Sequence, residues 1–197
     1  GGALGLNDTP AYKSYSSPVQ LPGSWVDVRT GGTNLGVKTD GTLWSWGYVG
    51  DGMSGLNVNN SRYSSPTQIG TDSDWGSKVF VGNQEAGALK ADGSLWMWGA
   101  NGYGNLGENK PHGRSSPIQV GTGTNWADAA IGRNYTVATK TDGTLWSWGY
   151  NVTGQAGTNT TPAGGGPNYS SPIQVGTDTG WTNPYVTRYG SWALKEV

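Results

Sequence analysis

The chain has 197 residues, a formal charge of −1 from 12 basic and 13 acidic side chains, and no cysteine. Those values exclude a disulfide framework, thiolate metal sites and the basic stripe of a nucleic-acid binder. Its 35 glycines and 10 prolines resemble a low-complexity chain, but 11 tryptophans and 10 tyrosines do not, because disordered segments are poor in large aromatics.

From the N-terminus onward, five landmarks return in step. Gly2-Ala3-Leu4-Gly5 is echoed by Gly52 to Gly55, Gly104-Asn105-Leu106-Gly107 and Gly154-Gln155-Ala156-Gly157. A Ser-Ser-Pro-x-Gln segment follows each, with its proline at Pro18, Pro66, Pro117 and Pro172. Then comes a lone tryptophan (Trp25, Trp75, Trp126, Trp181) and a short β-prone run ending in Lys38, Lys90, Lys140 or Lys195. These lysines are expected to form a solvated rim at the strand ends.

The most regular landmark is the octet Asp40-Gly41-Thr42-Leu43-Trp44-Ser45-Trp46-Gly47, which recurs from Asp92 and from Asp142, at intervals of 52 and 50 residues. Asp-Gly favours a two-residue type I′ hairpin turn. The Leu-Trp-x-Trp after it reads as a strand with leucine on one face and both tryptophans on the other. Each unit thus holds about four short strands punctuated by Gly, Pro, Asn or Asp. The expected fold is all-β, a β-propeller of four-stranded blades in one domain, with units near 1–47, 48–99, 100–149 and 150–197. Trp44, Trp46, Trp96, Trp98, Trp146 and Trp148 are then expected to pack between blades; a sugar-stacking groove is the functional alternative for them.

The Asp-Gly-x-Leu-x-x-Trp-Gly octet, the following Gly-x-Leu-Gly and the Ser-Pro segment resemble the regulator of chromosome condensation repeat, over essentially the whole chain. The Trp-x-Trp-Gly version is similar to bacterial and phage repeats of that family. The resemblance implies a propeller, usually seven-bladed. Many members carry a histidine shortly before the lysine-ending strand, where this chain has Thr33-Asn34, Gln84-Glu85 and Asn134-Tyr135. That departure weakens any transfer of function from the eukaryotic exchange factors. Four Ser-Ser-Pro segments stand against three octets, so the four units are expected to belong to a longer ring. Self-assembly with blade completion by neighbouring chains is the next reading, and a closed four-unit ring the last.

No constellation for catalysis is visible. The octet aspartates read as turn formers, the three glutamates (Glu85, Glu108, Glu196) are scattered, and His112 is the one histidine, in a polar loop. Neither a catalytic triad nor a multi-histidine metal site can be built from that set, the phosphate-cradling Gly-Lys-Ser/Thr loop is absent, and no cofactor is expected. No apolar run approaches the roughly 20 residues of a membrane span. The informative variation lies between the Gly-x-x-Gly turn and Ser-Ser-Pro, where loops of unequal length carry Tyr12, Lys13, Tyr15, Arg62, Tyr63, His112, Arg114 and Tyr169. Insertions at one recurring place map to one face of a repeat fold, and Tyr and Arg often anchor interfaces. The expected function is a non-catalytic structural or recognition module outside the cell, in a phage virion appendage or a secreted surface protein. Its loops are expected to bind a protein or glycan. A glycan-binding lectin and a GTPase-regulating propeller are the alternatives.

Overall fold

The structure is a computed structural model that describes residues 4–6, 16–48, 50–58, 62–159, 166–187 and 190–196. Strands β1 (Trp25–Thr30), β2 (Asn34–Lys38), β3 (Leu43–Tyr48) and β4 (Arg62–Gln68) form the first antiparallel sheet, in chain order. The second is built in the same order from β5 (Trp75–Val81), β6 (Glu85–Lys90), β7 (Leu95–Gly99) and β8 (Arg114–Gln119). In the third, β9 (Trp126–Ile131), β10 (Tyr135–Lys140), β11 (Leu145–Gly149) and β12 (Tyr169–Gln174) repeat the pattern. A fourth, two-stranded sheet pairs β13 (Trp181–Val186) with β14 (Ser191–Lys195). The first strands β1, β5, β9 and β13 neighbour one another and form the inner wall of a β-propeller arc. Each complete sheet draws its outermost strand, the Ser-Ser-Pro segment, from the sequence unit after the one that supplies its other three.

The core lies between sheets. Leu35, Val37, Leu43 and Ile69 of the first sheet meet Trp75, Ala86, Ala88 and Trp98 of the second. Leu89, Leu95, Met97 and Val120 of the second meet Trp126, Ala138 and Trp148 of the third. Large residues on one face and alanines on the other leave room for an indole at each boundary. The second tryptophan of each octet fills that room: Trp46, Trp98 and Trp148 are buried, whereas Trp44, Trp96 and Trp146 are half-buried towards the sheet end.

The octet turn departs from the expected type I′ hairpin. Gly41 N donates to Lys38 O at 3.0 Å and Lys38 N to Thr42 O at 2.9 Å, and positive φ occurs at Gly41 but not at Asp40. This is a three-residue loop, a type I turn closed by a left-handed glycine. The reason lies in the threonine: Asp40 Oδ1 accepts from Thr42 N at 3.0 Å and from Thr42 Oγ1 at 2.6 Å. The same pair of bonds recurs at Asp92–Ser94 and Asp142–Thr144. Glycine is required here on a second count, because the turn packs against the connection to the next sheet: Gly41 O accepts Trp75 N at 3.1 Å, and a Cβ added at Gly41 would fall 2.1 Å from Ser73 O.

Candidate functional site

At the Asp-Gly end, each turn hydroxyl passes its bond on to an indole: Trp44 Nε1 donates to Thr42 Oγ1 at 2.7 Å, Trp96 Nε1 to Ser94 Oγ at 2.9 Å and Trp146 Nε1 to Thr144 Oγ1 at 2.8 Å. Three of the repeated lysines, Lys38, Lys90 and Lys140, depart from the expected solvated rim, whereas Lys195 is exposed. Lys38 Nζ lies 3.6 Å from the Trp44 ring centroid and 5.3 Å from that of Trp25. Lys90 lies 5.1 and 5.0 Å from Trp75 and Trp96, and Lys140 lies 4.9 and 4.0 Å from Trp126 and Trp146. Each ammonium is thus held between two indoles, a geometry in which ring quadrupole and cation attract. Lys90 also reaches Asp72 and Asp74 at 2.7 and 3.0 Å. Burial disfavours its charge, but those carboxylates outweigh burial and hold its pKa above the ordinary 10.5.

The opposite end carries the inner turns and the variable loops. Ser115 Oγ and Ser170 Oγ donate to Asn57 Oδ1 and Asn109 Oδ1 of the loop before, at 2.9 and 3.0 Å, so the Ser-Ser-Pro segment ties each loop to the next sheet. The loop between β7 and β8 is pinned from beneath. Asn101 Nδ2 donates to the carbonyls of Lys110 and His112, and its Oδ1 accepts Leu106 N at 2.9 Å. Asn105 Nδ2 donates to buried Glu85 Oε1 and to Ala100 O, both at 2.6 Å. Burial raises the Glu85 carboxyl to about 7, against the opposing hydrogen bond from Gln84 N.

The sequence-predicted residues distribute unevenly over this end. Tyr12, Lys13 and Tyr15 lie outside the described residues. Arg62 and Tyr63 open β4, opposite Tyr48 and Gly47. Arg114 turns back onto Glu108, with Nε at 2.9 Å from Oε1 and Nη2 at 2.5 Å from Oε2, and so holds its own loop closed. His112 is exposed in that loop. Tyr169 packs against the core between the second and third sheets. Sequence reasoning missed Tyr48, Tyr103 and Tyr150. Tyr103 and Tyr150, from the loops of adjacent sheets, meet edge-to-face at 5.0 Å and 73°, and Tyr103 remains 42% exposed. A signal was present, since a tyrosine directly follows the octet glycine at Tyr48 and Tyr150.

Among the described residues no group of three His, Cys, Asp or Glu is placed to hold a metal, and no helix is long and apolar enough to cross a membrane. Residues 92–139 and 126–155 match two profiles described as the regulator of chromosome condensation (RCC1) repeat. These are RCC1 repeats. The human probable E3 ubiquitin-protein ligase HERC4 is 31% identical over 142 residues, covering 68% of this chain and 13% of that protein. Human WBSCR16 shares the fold with a TM-score of 0.77 at 23% identity, over 98% of this chain and 52% of its own. Prp20p of Saccharomyces cerevisiae, whose structure is described with its binding to Gsp1p and histones, matches with a TM-score of 0.72 at 17% identity, over 87% and 44%. The RCC1-repeat chain therefore spans about an eighth of its human ligase relative and about half of the solved propellers.

Proposed function

We propose that this RCC1-repeat module is a non-catalytic recognition element displayed outside the cell, on a virion appendage or a secreted surface protein, and that its loop end grips a protein partner. The observation that carries this reading is the Tyr103–Tyr150 pair, an aromatic contact with Tyr103 exposed that bridges two sheets, on loops pinned by Asn101 and the Glu108–Arg114 ion pair in one and by Asn151 in the other. Loops already held in place lose little entropy on binding, and exposed tyrosine is a favoured interface anchor. Prp20p, of the same fold, binds Gsp1p and histones, which supports a protein partner. A photo-cross-linker at position 103, with one at exposed Asp92 on the opposite end as control, tests it in the native preparation. Adducts from position 103 alone are expected; adducts equal at both positions, or none at 103, count against it. Surface biotinylation of intact particles or cells tests the extracellular placement, which fails if labelling requires lysis.

The tyrosine pair also favours a second reading, a glycan stacked on the aromatic faces, which a glycan array with Tyr103→Ala and Tyr150→Ala separates from protein binding. A neighbouring chain that completes the two-stranded fourth sheet is a further part of the proposal.

A further inference from the structure

Three connections between sheets follow the same path. Each leaves a left-handed glycine, Gly70, Gly121 or Gly176, and ends at Trp75, Trp126 or Trp181. Main-chain bonds fix the correspondence between them: Ala91 N donates to Asp74 O, Thr141 N to Asn125 O and Glu196 N to Gly180 O, at 2.8, 2.8 and 2.9 Å. Positions 72, 123 and 178 are therefore equivalent, as are 74, 125 and 180.

Two of the connections supply a carboxylate to the lysine of the clamp. Lys90 Nζ lies 2.7 Å from Asp72 Oδ2, and Lys195 Nζ lies 2.7 Å from Asp178 Oδ2. Asp74 is a second partner for Lys90. The third connection carries neither acid, because Gly123 stands in the place of Asp72 and Asn125 in that of Asp74. Lys140 is held between Trp126 and Trp146, yet it makes no ion pair among the described residues. Asp142, two residues on, gives its Oδ1 to Thr144 N and Oγ1 instead.

The space above Gly123 is open and borders a second unused donor. A Cβ added there would find Asn125 Oδ1 at 3.2 Å and Trp126 Nε1 at 3.8 Å, with no third contact within 4 Å among the described residues. Trp126 is 5% exposed, and its indole N–H has no acceptor. A buried donor left in that state calls for a partner. Trp75 and Trp181 share the orphaned N–H, but their lysines have acids. At the first sheet, Lys38 has no acid, but Trp25 Nε1 donates to Pro22 O at 3.0 Å. Only at Lys140 do a lysine without a carboxylate and an indole without an acceptor coincide.

We propose that Lys140, the Trp126 indole N–H and the notch above Gly123 bind one small carboxylate, which stands where Asp72 places its own in the preceding connection. The Cβ and carboxylate that Gly123 lacks have together the size of acetate, so a small free acid is the occupant that fits. One oxygen accepts from Lys140, as Asp72 Oδ2 does from Lys90, and the other accepts from Trp126 Nε1. Hydrogen bonds between ionised partners are the strong ones, and two donors suit the two oxygens of a carboxylate better than the single centre of a halide. The site lies at the Asp-Gly end, between the complete second and third sheets. It is independent of the loop end, so cross-linking at position 103 is unaffected by its outcome.

The test is the two-dimensional ¹H–¹⁵N spectrum of the indole N–H groups, with the Trp126 signal assigned from Trp126→Phe. Sodium acetate is titrated against sodium chloride at matched ionic strength. A saturable shift of the Trp126 signal in millimolar acetate is expected, with Trp75 unmoved because Asp72 and Asp74 already hold its lysine. Gly123→Asp supplies the carboxylate from within, and its backbone is compatible because φ of Gly123 lies outside the left-handed region. That variant should move the Trp126 signal in the same direction without acetate and lose the response to it. Lys140→Met should lose the response without moving the signal that way. Equal shifts in chloride, no saturation in the wild type, or an undiminished response in Lys140→Met overturns the proposal. The comparison of acetate with chloride needs the wild-type chain alone, so it decides even where a variant fails to fold. A blocked peptide with one aspartate that binds more tightly than acetate overturns the assignment to a small free acid.

Discussion

Trp148 Nε1 donates to the main-chain carbonyl of Asn105 at 2.9 Å across the boundary between the second and third sheets. The bond joins the strand that begins one boundary to the turn that ends the previous sheet, and the indole that makes it is wholly buried. One side chain therefore supplies both the apolar fill and the polar closure of the joint. Trp148→Ala should lower unfolding free energy by about 3–5 kcal/mol through the cavity it leaves. Trp148→Phe keeps most of the fill and loses the donor, so about 1–2 kcal/mol is expected. Urea unfolding followed by far-UV circular dichroism distinguishes the two, and equal losses would show that the hydrogen bond contributes nothing.

Lys90 provides the corresponding joint at the Asp-Gly end. Its side chain is 11% exposed, faces two indoles and touches two carboxylates. Lys90→Met retains the apolar stem and removes the charge. A desolvated cation–π contact is worth about 2 kcal/mol, so a loss of about 1–2 kcal/mol is expected. The loss should shrink only slightly in 0.5 M salt, since a buried pair is poorly screened. Full loss of the effect in salt would mean that the surface carboxylates, not the indoles, hold this lysine.

Gly93 offers a backbone test. Its φ is +82°, and an added Cβ would fall 2.3 Å from Thr124 O of the connection to the next sheet. Gly93→Ala meets both a left-handed backbone, which costs about 1–2 kcal/mol, and a main-chain oxygen that cannot move aside. A loss of more than about 2 kcal/mol is expected. Gly102→Ala is the control: nothing lies within 4 Å of its added Cβ, and a compatible Gly→Ala change is neutral or stabilises by up to about 1 kcal/mol. Thermal unfolding of both variants checks the contrast.

The repeat, the strands and the role of the octet could be read from the sequence because each depends on local pattern: Leu-Trp-x-Trp alternates with the pleat, and Gly punctuates it. The turn type could not, because Asp-Gly alone favours type I′, while here the hydroxyl of Thr42, Ser94 or Thr144 captures the aspartate. The setting of Lys38, Lys90 and Lys140 is hidden in the sequence for a similar reason. Their recurrence was visible, but the indoles that receive each one lie on two different strands, about 6 and 13 residues away in sequence from Lys38, and only the sheet register brings them together. At the loop end, the sequence places Arg114 among the candidate contact residues without showing its partner Glu108, six residues earlier in the same loop, a spacing with no meaning outside a regular helix or strand. In the sequence Glu85 is one of three scattered glutamates, and the Asn105 amide that bonds its buried carboxylate stands twenty residues later.

Glu85 gives the strongest pH prediction. Its carboxyl is wholly buried, and burial raises its pKa from 4.5 to about 7. The folded state thus binds the proton more tightly than the unfolded state, so this group's contribution to stability is complete below pH 4.5. It declines as pH rises through about 7 and is level above that. At about 1.4 kcal/mol for each tenfold difference in proton affinity, the decline is on the order of 3 kcal/mol. The octet aspartates act in a separate window: hydrogen bonds from Thr42, Ser94 and Thr144 hold Asp40, Asp92 and Asp142 below 3.8, so their contribution is lost only as the solution becomes more acid than that. Urea midpoints measured from pH 4.5 to 8 should therefore fall across the range in the wild type and stay nearly flat in Glu85→Gln. The two proteins should differ most at pH 8, with the variant the more stable there, because it carries no buried charge. A wild-type profile as flat as that of the variant would show that the Asn105 and Gln84 hydrogen bonds keep Glu85 ionised in the fold.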